Sequence, residues 1–163
     1  GKSRYALHLA EHYTGKRVFI ATAEPIDDEI RARIEKHREE RGEAFQTIEE
    51  PLDLAGALRA LSDDVEIAVV DCLTLWLGNL MHHHGAETED HPEVSELLQI
   101  LDAPPCDLIF VTNEVGMGVV PENAMARRFR DVAGRLNQEM AGRAGQVVLM
   151  VSGLAVPLKG AGS

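Results

Sequence analysis

The first three residues, Gly1, Lys2 and Ser3, have the types and order that end a phosphate-binding loop. In the complete motif, G-x-x-x-x-G-K-[ST], backbone N–H groups at the start of a helix bind phosphate oxygens. The lysine neutralises phosphate charge, and the serine hydroxyl is a ligand of Mg²⁺. A helical pattern follows directly in this chain, so the tripeptide predicts nucleotide binding. The alternative is an ordinary helix start that exposes a lysine.

Polar residues follow three apolar runs of the chain. Asp71 follows IAVV, and the triplets Thr22-Ala23-Glu24 and Thr112-Asn113-Glu114 follow two other runs. Open parallel sheets bind ligands at the carboxyl ends of their strands, so we expect these groups to lie beside Lys2 and Ser3. In that position the Asp71 carboxylate would contact Mg²⁺, as the strand-end aspartate of phosphate-loop enzymes does. The alternative for Asp71 is a residue that caps a turn.

His37 lies in the charged run KHREERG. A neutral imidazole can attack phosphorus and form a covalent intermediate, and a pKa of about 6.5 leaves histidine mostly neutral in the cytosol. Beside it, Arg38 and Arg41 could neutralise a triphosphate. The alternative is a solvated helix face, in which these arginines pair with glutamates such as Glu39 and Glu40. In that case His37 would be a half-exposed surface residue.

The stretch HHHGAETEDHPE, which begins at His82, is the most polar and irregular part of the sequence. Its composition predicts a mobile loop. Three consecutive residues of a regular element cannot all converge on one ion, and no further ligands follow at suitable spacing. We therefore do not expect a metal site at His82, His83 and His84.

The overall composition indicates one globular domain and excludes some partners. A chain of 163 residues is long enough to bury a substantial core, and 45% of its residues are hydrophobic. Sixteen basic against 27 acidic residues give a net charge of −11, which argues against nucleic-acid binding. No run of about 18 apolar residues occurs, so stable membrane insertion is not expected. Cys72 and Cys106 form no disulfide-rich pattern, and the sequence therefore predicts a cytoplasmic protein.

Helical patterns alternate with apolar strands along the whole chain. The predicted strands are RVFIATA, FQTIEEP, EIAVVDCLT, DLIFVTNEVG and QVVLMVSG. The predicted helices are Lys2 to Tyr13, IDDEIRARIEKHREERG, LDLAGALRALS, PEVSELLQILDAP and ENAMARRFRDVAGRLNQEMAGRA. This alternation is typical of an α/β fold with a mainly parallel sheet.

Several segments resemble one known family in order and spacing. They are GKSRYA, IATAEPIDDEIRARIEKHREER, VVDCLTLWLGNL, VTNEVGMGVVPENAMARRFRDVAGRLNQEMA and VVLMVSG. They resemble the bifunctional adenosylcobinamide kinase/adenosylcobinamide-phosphate guanylyltransferases of cobalamin synthesis. The resemblance runs essentially from end to end, and the long TNEVGMG segment makes it more specific than the phosphate-loop tripeptide.

The resemblance implies a P-loop, RecA-like three-layer domain over residues 1–163 and two reactions. A nucleoside triphosphate (ATP or GTP) phosphorylates adenosylcobinamide, and GMP then passes from GTP through a guanylyl-histidine at His37 to adenosylcobinamide phosphate. Ser3 and Asp71 would hold Mg²⁺ with the nucleotide phosphates. The family further implies a homo-oligomer, a trimer. The nucleotide-binding residues that it implies are Gly1, Lys2, Ser3, Thr22, Ala23, Glu24, Arg38, Glu39, Glu40, Arg41, Glu49 and Asp71.

The chain departs from the family at its start. Members begin with a strand and a glycine-containing run before the GKS tripeptide, and the sequence here begins at GKS. We therefore expect an N-terminally truncated domain whose first strand is absent. Two alternatives remain open: another small-molecule P-loop kinase, which would have no use for a nucleophilic histidine, and a nucleotide-binding module without catalysis.

Overall fold

The computed structural model describes residues 1–24, 44–85 and 91–160, which form an α/β fold. The helices are α1 (Lys2–Ala10), α2 (Leu54–Arg59), α3 (Leu73–His84), α4 (Pro92–Ile100) and α5 (Ala124–Arg143), with a short 3-10 turn at Val115–Met117. The strands are β1 (Lys16–Ala21), β2 (Gln46–Glu49), β3 (Val65–Asp71), β4 (Asp107–Val111), β5 (Val147–Val151) and β6 (Leu154–Lys159). The predicted helix IDDEIRARIEKHREERG lies outside the described residues.

Four strands form a parallel sheet in the order β2-β1-β3-β4. Their near-continuous apolar sequences are typical of parallel strands buried on both faces. The pairing aligns the strand ends in one row, in which Glu49 pairs with Ala21, Ala21 with Asp71, and Asp71 with Val111. The residues that follow β1, β3 and β4 therefore emerge at one carboxyl edge of the sheet.

Helices cover both faces of this sheet, which gives three layers. On one face, α1 packs Ala6 and Ala10 into a cluster with Phe19 and Val69. On the other face, α2 to α5 bury a larger cluster around the fully buried Trp76. Alternate residues of each strand point to opposite faces, so one sheet supports both clusters. The predicted α/β fold with a mainly parallel sheet is confirmed.

The strand predicted from QVVLMVSG forms, but it pairs outside the four-stranded sheet. β5 pairs antiparallel with β6, a strand that the sequence analysis did not predict. The two-residue connection, Ser152 and Gly153, has positive φ angles of 51° and 80°. Such turns match the twist of a two-stranded hairpin, so the local sequence favours this antiparallel pair.

The prediction of a loop beginning at His82 is wrong for its first three residues. His82, His83 and His84 form the last turn of α3, which ends at Gly85 with a φ of 89°. The helix that was predicted to run to Tyr13 ends earlier, at Ala10. Residues 86–90 of the predicted loop lie outside the described residues.

Candidate active site

The start of α1 lies at the carboxyl edge of the sheet, beside the end of β3. Helix α1 packs on β3 and β4, with Lys2 exposed and Ser3 half-buried in its first turn. Burial raises the pKa of the Cys72 thiol, and the charge of Asp71 raises it further, whereas the nearby Lys2 ammonium lowers it. Lys2 is thus close enough to Asp71-Cys72 to act on charge there. Gly1 precedes the helix and accepts a hydrogen bond from the backbone N–H of Tyr5 at 2.9 Å.

Hydrogen bonds from Thr22 link the end of β1 to Cys72, the residue after β3. The Thr22 side chain is fully buried, and its hydroxyl accepts from the Cys72 N–H and donates to the Cys72 carbonyl, each at 2.8 Å. The backbone N–H of Thr22 also donates to the carbonyl of Asp71 at 3.2 Å. Asn79 of α3 donates to the Thr22 carbonyl at 2.8 Å. These bonds position Asp71, whose own side chain is half-buried at the edge.

The remaining acidic candidates lie toward the β2 side of the edge. Ala23 and Glu24 are half-buried after β1, and Glu24 Oε1 lies 2.9 Å from His83 Nε2 at the end of α3. Glu49 ends β2 and is exposed. The structure thus brings Lys2 near the Asp71-Cys72 segment, with Ser3 in the same first turn of α1.

A polar network that the sequence analysis missed fixes the residues after β4. Asn137, from the middle of α5, accepts from the Thr112 hydroxyl at 2.7 Å. Its amide donates to the Asn113 carbonyl at 3.1 Å and to Glu114 Oε1 at 2.9 Å. Thr74 of α3 accepts from both the backbone N–H and the side-chain amide of Asn113, each at 3.0 Å. Sequence reasoning located Thr112-Asn113-Glu114 but neither Thr74 nor Asn137.

One signal in the sequence could have found Asn137. The buried stripe of α5 contains Ala133, Leu136 and Met140, and Asn137 lies four residues after Ala133. A polar side chain on an otherwise apolar helix face needs a hydrogen-bond partner, because leaving a buried polar group unpaired costs free energy.

The five predicted residues of the charged run lie outside the described residues. They are His37, Arg38, Glu39, Glu40 and Arg41, and their assignments stay predictions.

The oxygen donors at the edge fit a magnesium ion that arrives with a nucleotide. The Ser3 hydroxyl and the Asp71 carboxylate are hard ligands of the kind that Mg²⁺ prefers. Within residues 1–24, 44–85 and 91–160, no three His, Cys, Asp or Glu side chains group as a metal site. Mg²⁺ in phosphoryl-transfer enzymes does not need three protein ligands, because one or two carboxylates bind it and phosphates and water complete its coordination.

The sequence matches a known family over nearly its whole length. The model of the family described as cobinamide kinase / cobinamide phosphate guanyltransferase matches residues 1–158. The chain belongs to this family. The bifunctional adenosylcobalamin biosynthesis protein CobP of Pseudomonas aeruginosa is 43% identical over 160 residues, covering 98% of this chain and 92% of that protein. The bifunctional adenosylcobalamin biosynthesis protein CobU of Escherichia coli (strain K12) is 37% identical over 171 residues, covering 98% of this chain and 94% of that protein.

Membership of the cobinamide kinase/guanyltransferase family confirms the P-loop fold and the activity that the resemblance implied. The protein phosphorylates adenosylcobinamide with a nucleoside triphosphate, and it transfers GMP from GTP to adenosylcobinamide phosphate. The family assignment decides against both alternatives, another small-molecule kinase and a non-catalytic nucleotide-binding module. In the part of the chain that the structure describes, no helix has the length and apolar character that a bilayer span requires.

Proposed function

We propose that both reactions use one nucleotide site at the carboxyl edge of the sheet and that His37 carries GMP between the two substrates. The observation that supports this site is the position of α1. Its first turn, with Lys2 and Ser3, lies beside the Asp71-Cys72 segment at the end of β3. A helix N-terminus, a cation and a strand-end carboxylate are the parts that bind a triphosphate with its metal.

In the kinase reaction, backbone N–H groups at the start of α1 bind the phosphates and Lys2 neutralises their charge. Ser3 and Asp71 would hold Mg²⁺, which would stabilise the charge that develops on the phosphate oxygens. The aminopropanol hydroxyl of adenosylcobinamide attacks the γ-phosphorus. The bond from that phosphorus to the bridging oxygen breaks, and the nucleoside diphosphate leaves with the electron pair.

In the transferase reaction, the unprotonated ring nitrogen of His37 attacks the α-phosphorus of GTP and pyrophosphate leaves. A phosphate oxygen of adenosylcobinamide phosphate then attacks the same phosphorus, and the imidazole leaves. Imidazole suits this role because it is both a nucleophile and a leaving group. We assign binding of GTP to the Thr22-Ala23-Glu24 segment, in which the buried Thr22 holds Ala23 and Glu24 in position, to residues 38–41 and to Glu49.

Covalent labelling tests the role of His37. The protein is incubated with Mg²⁺ and GTP labelled at the α-phosphate, denatured, and assayed for bound label. We expect label that is labile in acid and stable in alkali, as a phosphoramidate is, and we expect it to be lost in His37→Ala. His82→Ala is the matched control, because His82 is an exposed histidine of α3. Label that persists in His37→Ala would exclude His37 as the nucleophile.

A second assay tests the phosphate site. Lys2→Ala should lower the rate of adenosylcobinamide phosphorylation, because the phosphates lose a neutralising cation. Lys159→Ala is the matched control, since the ammonium of Lys159 is bound to the carbonyls of Ala141 and Gly142 in another part of the fold. An unchanged rate in Lys2→Ala would contradict the assignment of the phosphate site.

We propose further that the protein is a cytoplasmic homo-oligomer, a trimer, in which each chain forms one domain over residues 1–163. Large apolar side chains exposed in two segments support the oligomer: Met117, Val119 and Val120 after β4, and Leu154, Val156 and Leu158 in β6. The free thiols of Cys72 and Cys106 support a reducing compartment. Sedimentation equilibrium tests the trimer, which requires three times the chain mass of 17.8 kDa.

A further inference from the structure

Glu114 is an exposed carboxylate held in a fixed position at the carboxyl edge. Its Oε1 accepts a hydrogen bond of 2.9 Å from the amide of Asn137. The same amide is fixed by two further bonds, to Thr112 and Asn113. Among the described residues, the second carboxylate oxygen of Glu114 has no protein partner, so it remains accessible from solution. A surface glutamate without such a network would sample many rotamers.

The location of Glu114 relative to Asp71 suggests what this carboxylate does. Glu114 follows β4, and α1, whose first turn we assign to the phosphates, packs on β3 and β4. Val111 at the end of β4 pairs directly with Asp71. Glu114 therefore emerges at the carboxyl edge one strand away from the proposed magnesium ligand, held there by Asn137 of α5, the helix that packs on the face opposite α1.

Phosphorylation of an alcohol creates a need for a group that accepts a proton. The hydroxyl oxygen of adenosylcobinamide forms a bond to the γ-phosphorus while the bond to the bridging oxygen breaks. The leaving nucleoside diphosphate takes that electron pair, and the hydroxyl proton must pass to a base. Kinases of other folds use a carboxylate for this purpose.

We propose that Glu114 is the general base of the kinase reaction and that Asn137 is its positioning residue. The hydroxyl proton passes to the second carboxylate oxygen of Glu114 and then to water. Asp71 would be occupied as a metal ligand in the proposed site, and Glu24 lies beyond β1 with its carboxylate against His83. This inference rests on the phosphate site proposed above, because α1 packs on β3 and β4 and Asp71 pairs with Val111 at the end of β4.

The two half-reactions can be assayed separately, which gives the test an internal control. The kinase assay supplies adenosylcobinamide and ATP, and the transferase assay supplies adenosylcobinamide phosphate and GTP. Glu114→Gln retains an oxygen that can accept from Asn137 but is not basic. We expect its kinase kcat to fall about 100-fold or more, as loss of a general base does, with the transferase kcat within about 2-fold of wild type. Glu122→Gln, the same change at an exposed glutamate eight residues on, should leave both rates unchanged.

A double-mutant cycle tests the role of Asn137. Asn137→Leu should lower the kinase kcat more than about 10-fold in the wild-type background, as expected for a lost hydrogen bond to a charged group. Its effect on the kinase rate should disappear in the Glu114→Gln background, because no base is left to position. An equal loss in both backgrounds would show a structural role and overturn the assignment of Asn137.

Two results would overturn the role of Glu114: a kinase loss below about 10-fold in Glu114→Gln, or equal losses in both half-reactions. The Lys2→Ala assay keeps this failure distinct from failure of the phosphate site. If Lys2→Ala reduces the kinase rate and Glu114→Gln does not, the phosphate site stands and the general base lies elsewhere. If Glu114→Gln impairs the kinase alone and Lys2→Ala has no effect, the role of Glu114 is supported and the assignment of Lys2 to the phosphates is wrong.

Discussion

The buried hydroxyl of Thr22 gives a prediction whose size follows from the structure. In Thr22→Val the shape of the side chain is kept, but the Cys72 N–H and carbonyl both lose their 2.8 Å partner. The Cys72 carbonyl still accepts a hydrogen bond from the Trp76 N–H at 3.1 Å, so losing the Thr22 hydroxyl costs the carbonyl less free energy than it costs the Cys72 N–H. A buried N–H without a partner costs about 1–3 kcal/mol, so Thr22→Val should lower the free energy of unfolding by roughly 2–3 kcal/mol in total.

Thermal and urea denaturation measure this cost. For a chain of this length, a loss of 2–3 kcal/mol should lower Tm by roughly 4–12 °C. Thr22→Ser is the control, because it keeps the hydroxyl and removes one methyl group, which is worth about 1 kcal/mol when buried. Since the Thr22 bonds hold the residue after Asp71, we also expect the valine variant to need more Mg²⁺ for half-maximal kinase activity. If serine destabilises the protein as much as valine does, the hydrogen-bond reasoning is refuted.

Two further predictions concern titrating side chains. A hydrogen bond to the Asp107 carboxylate, together with burial, raises the pKa of Tyr13. The protonated phenol therefore stabilises the fold fully below about pH 10, the unfolded pKa, and this contribution is lost as pH rises through the folded pKa. The difference in unfolding free energy between wild type and Tyr13→Phe should shrink above pH 10, and a constant difference would contradict this. Burial raises the pKa of both cysteine thiols, and Cys72 is more buried than Cys106. A thiol reagent should therefore modify the half-buried Cys106 faster than Cys72 in the native protein. Cys106→Ser should remove this fast phase of the modification.

The strand ends were predictable because their signals are local. An apolar run followed by polar residues marks the carboxyl end of a buried parallel strand, and the sheet then aligns several such ends. Asp71, Thr22 and Glu24 were found in this way. The sequence did not reveal that the Thr22 hydroxyl is consumed within the fold, because its partner Cys72 lies 50 residues away.

Helix α3 was missed because its pattern is not amphipathic. It buries Leu73, Trp76, Leu77 and other apolar residues between the sheet and α5, so a polar face does not mark its period. Its N-cap is Cys72, a residue type that sequence rules do not use as a start signal. β6 was missed for a different reason: Pro157 argues against a strand, but here it lies in an exposed hairpin where proline is tolerated.

The order of the strands suggests how one edge can serve two displacements at phosphorus. In both reactions a nucleophile attacks a triphosphate, but the kinase acts at the γ-phosphorus and the transferase at the α-phosphorus. One side chain cannot serve both atoms, so groups specific to each reaction must lie apart. The ends of β2 and β4 are separated by three strand spacings, or about 14 Å. With Glu114 beyond β4 and Glu49 at β2, the sheet provides that separation while α1 and Asp71 lie between them. This arrangement predicts that substitution of Glu114 impairs the kinase reaction and substitution of Glu49 impairs guanylyl transfer, while Lys2→Ala impairs both.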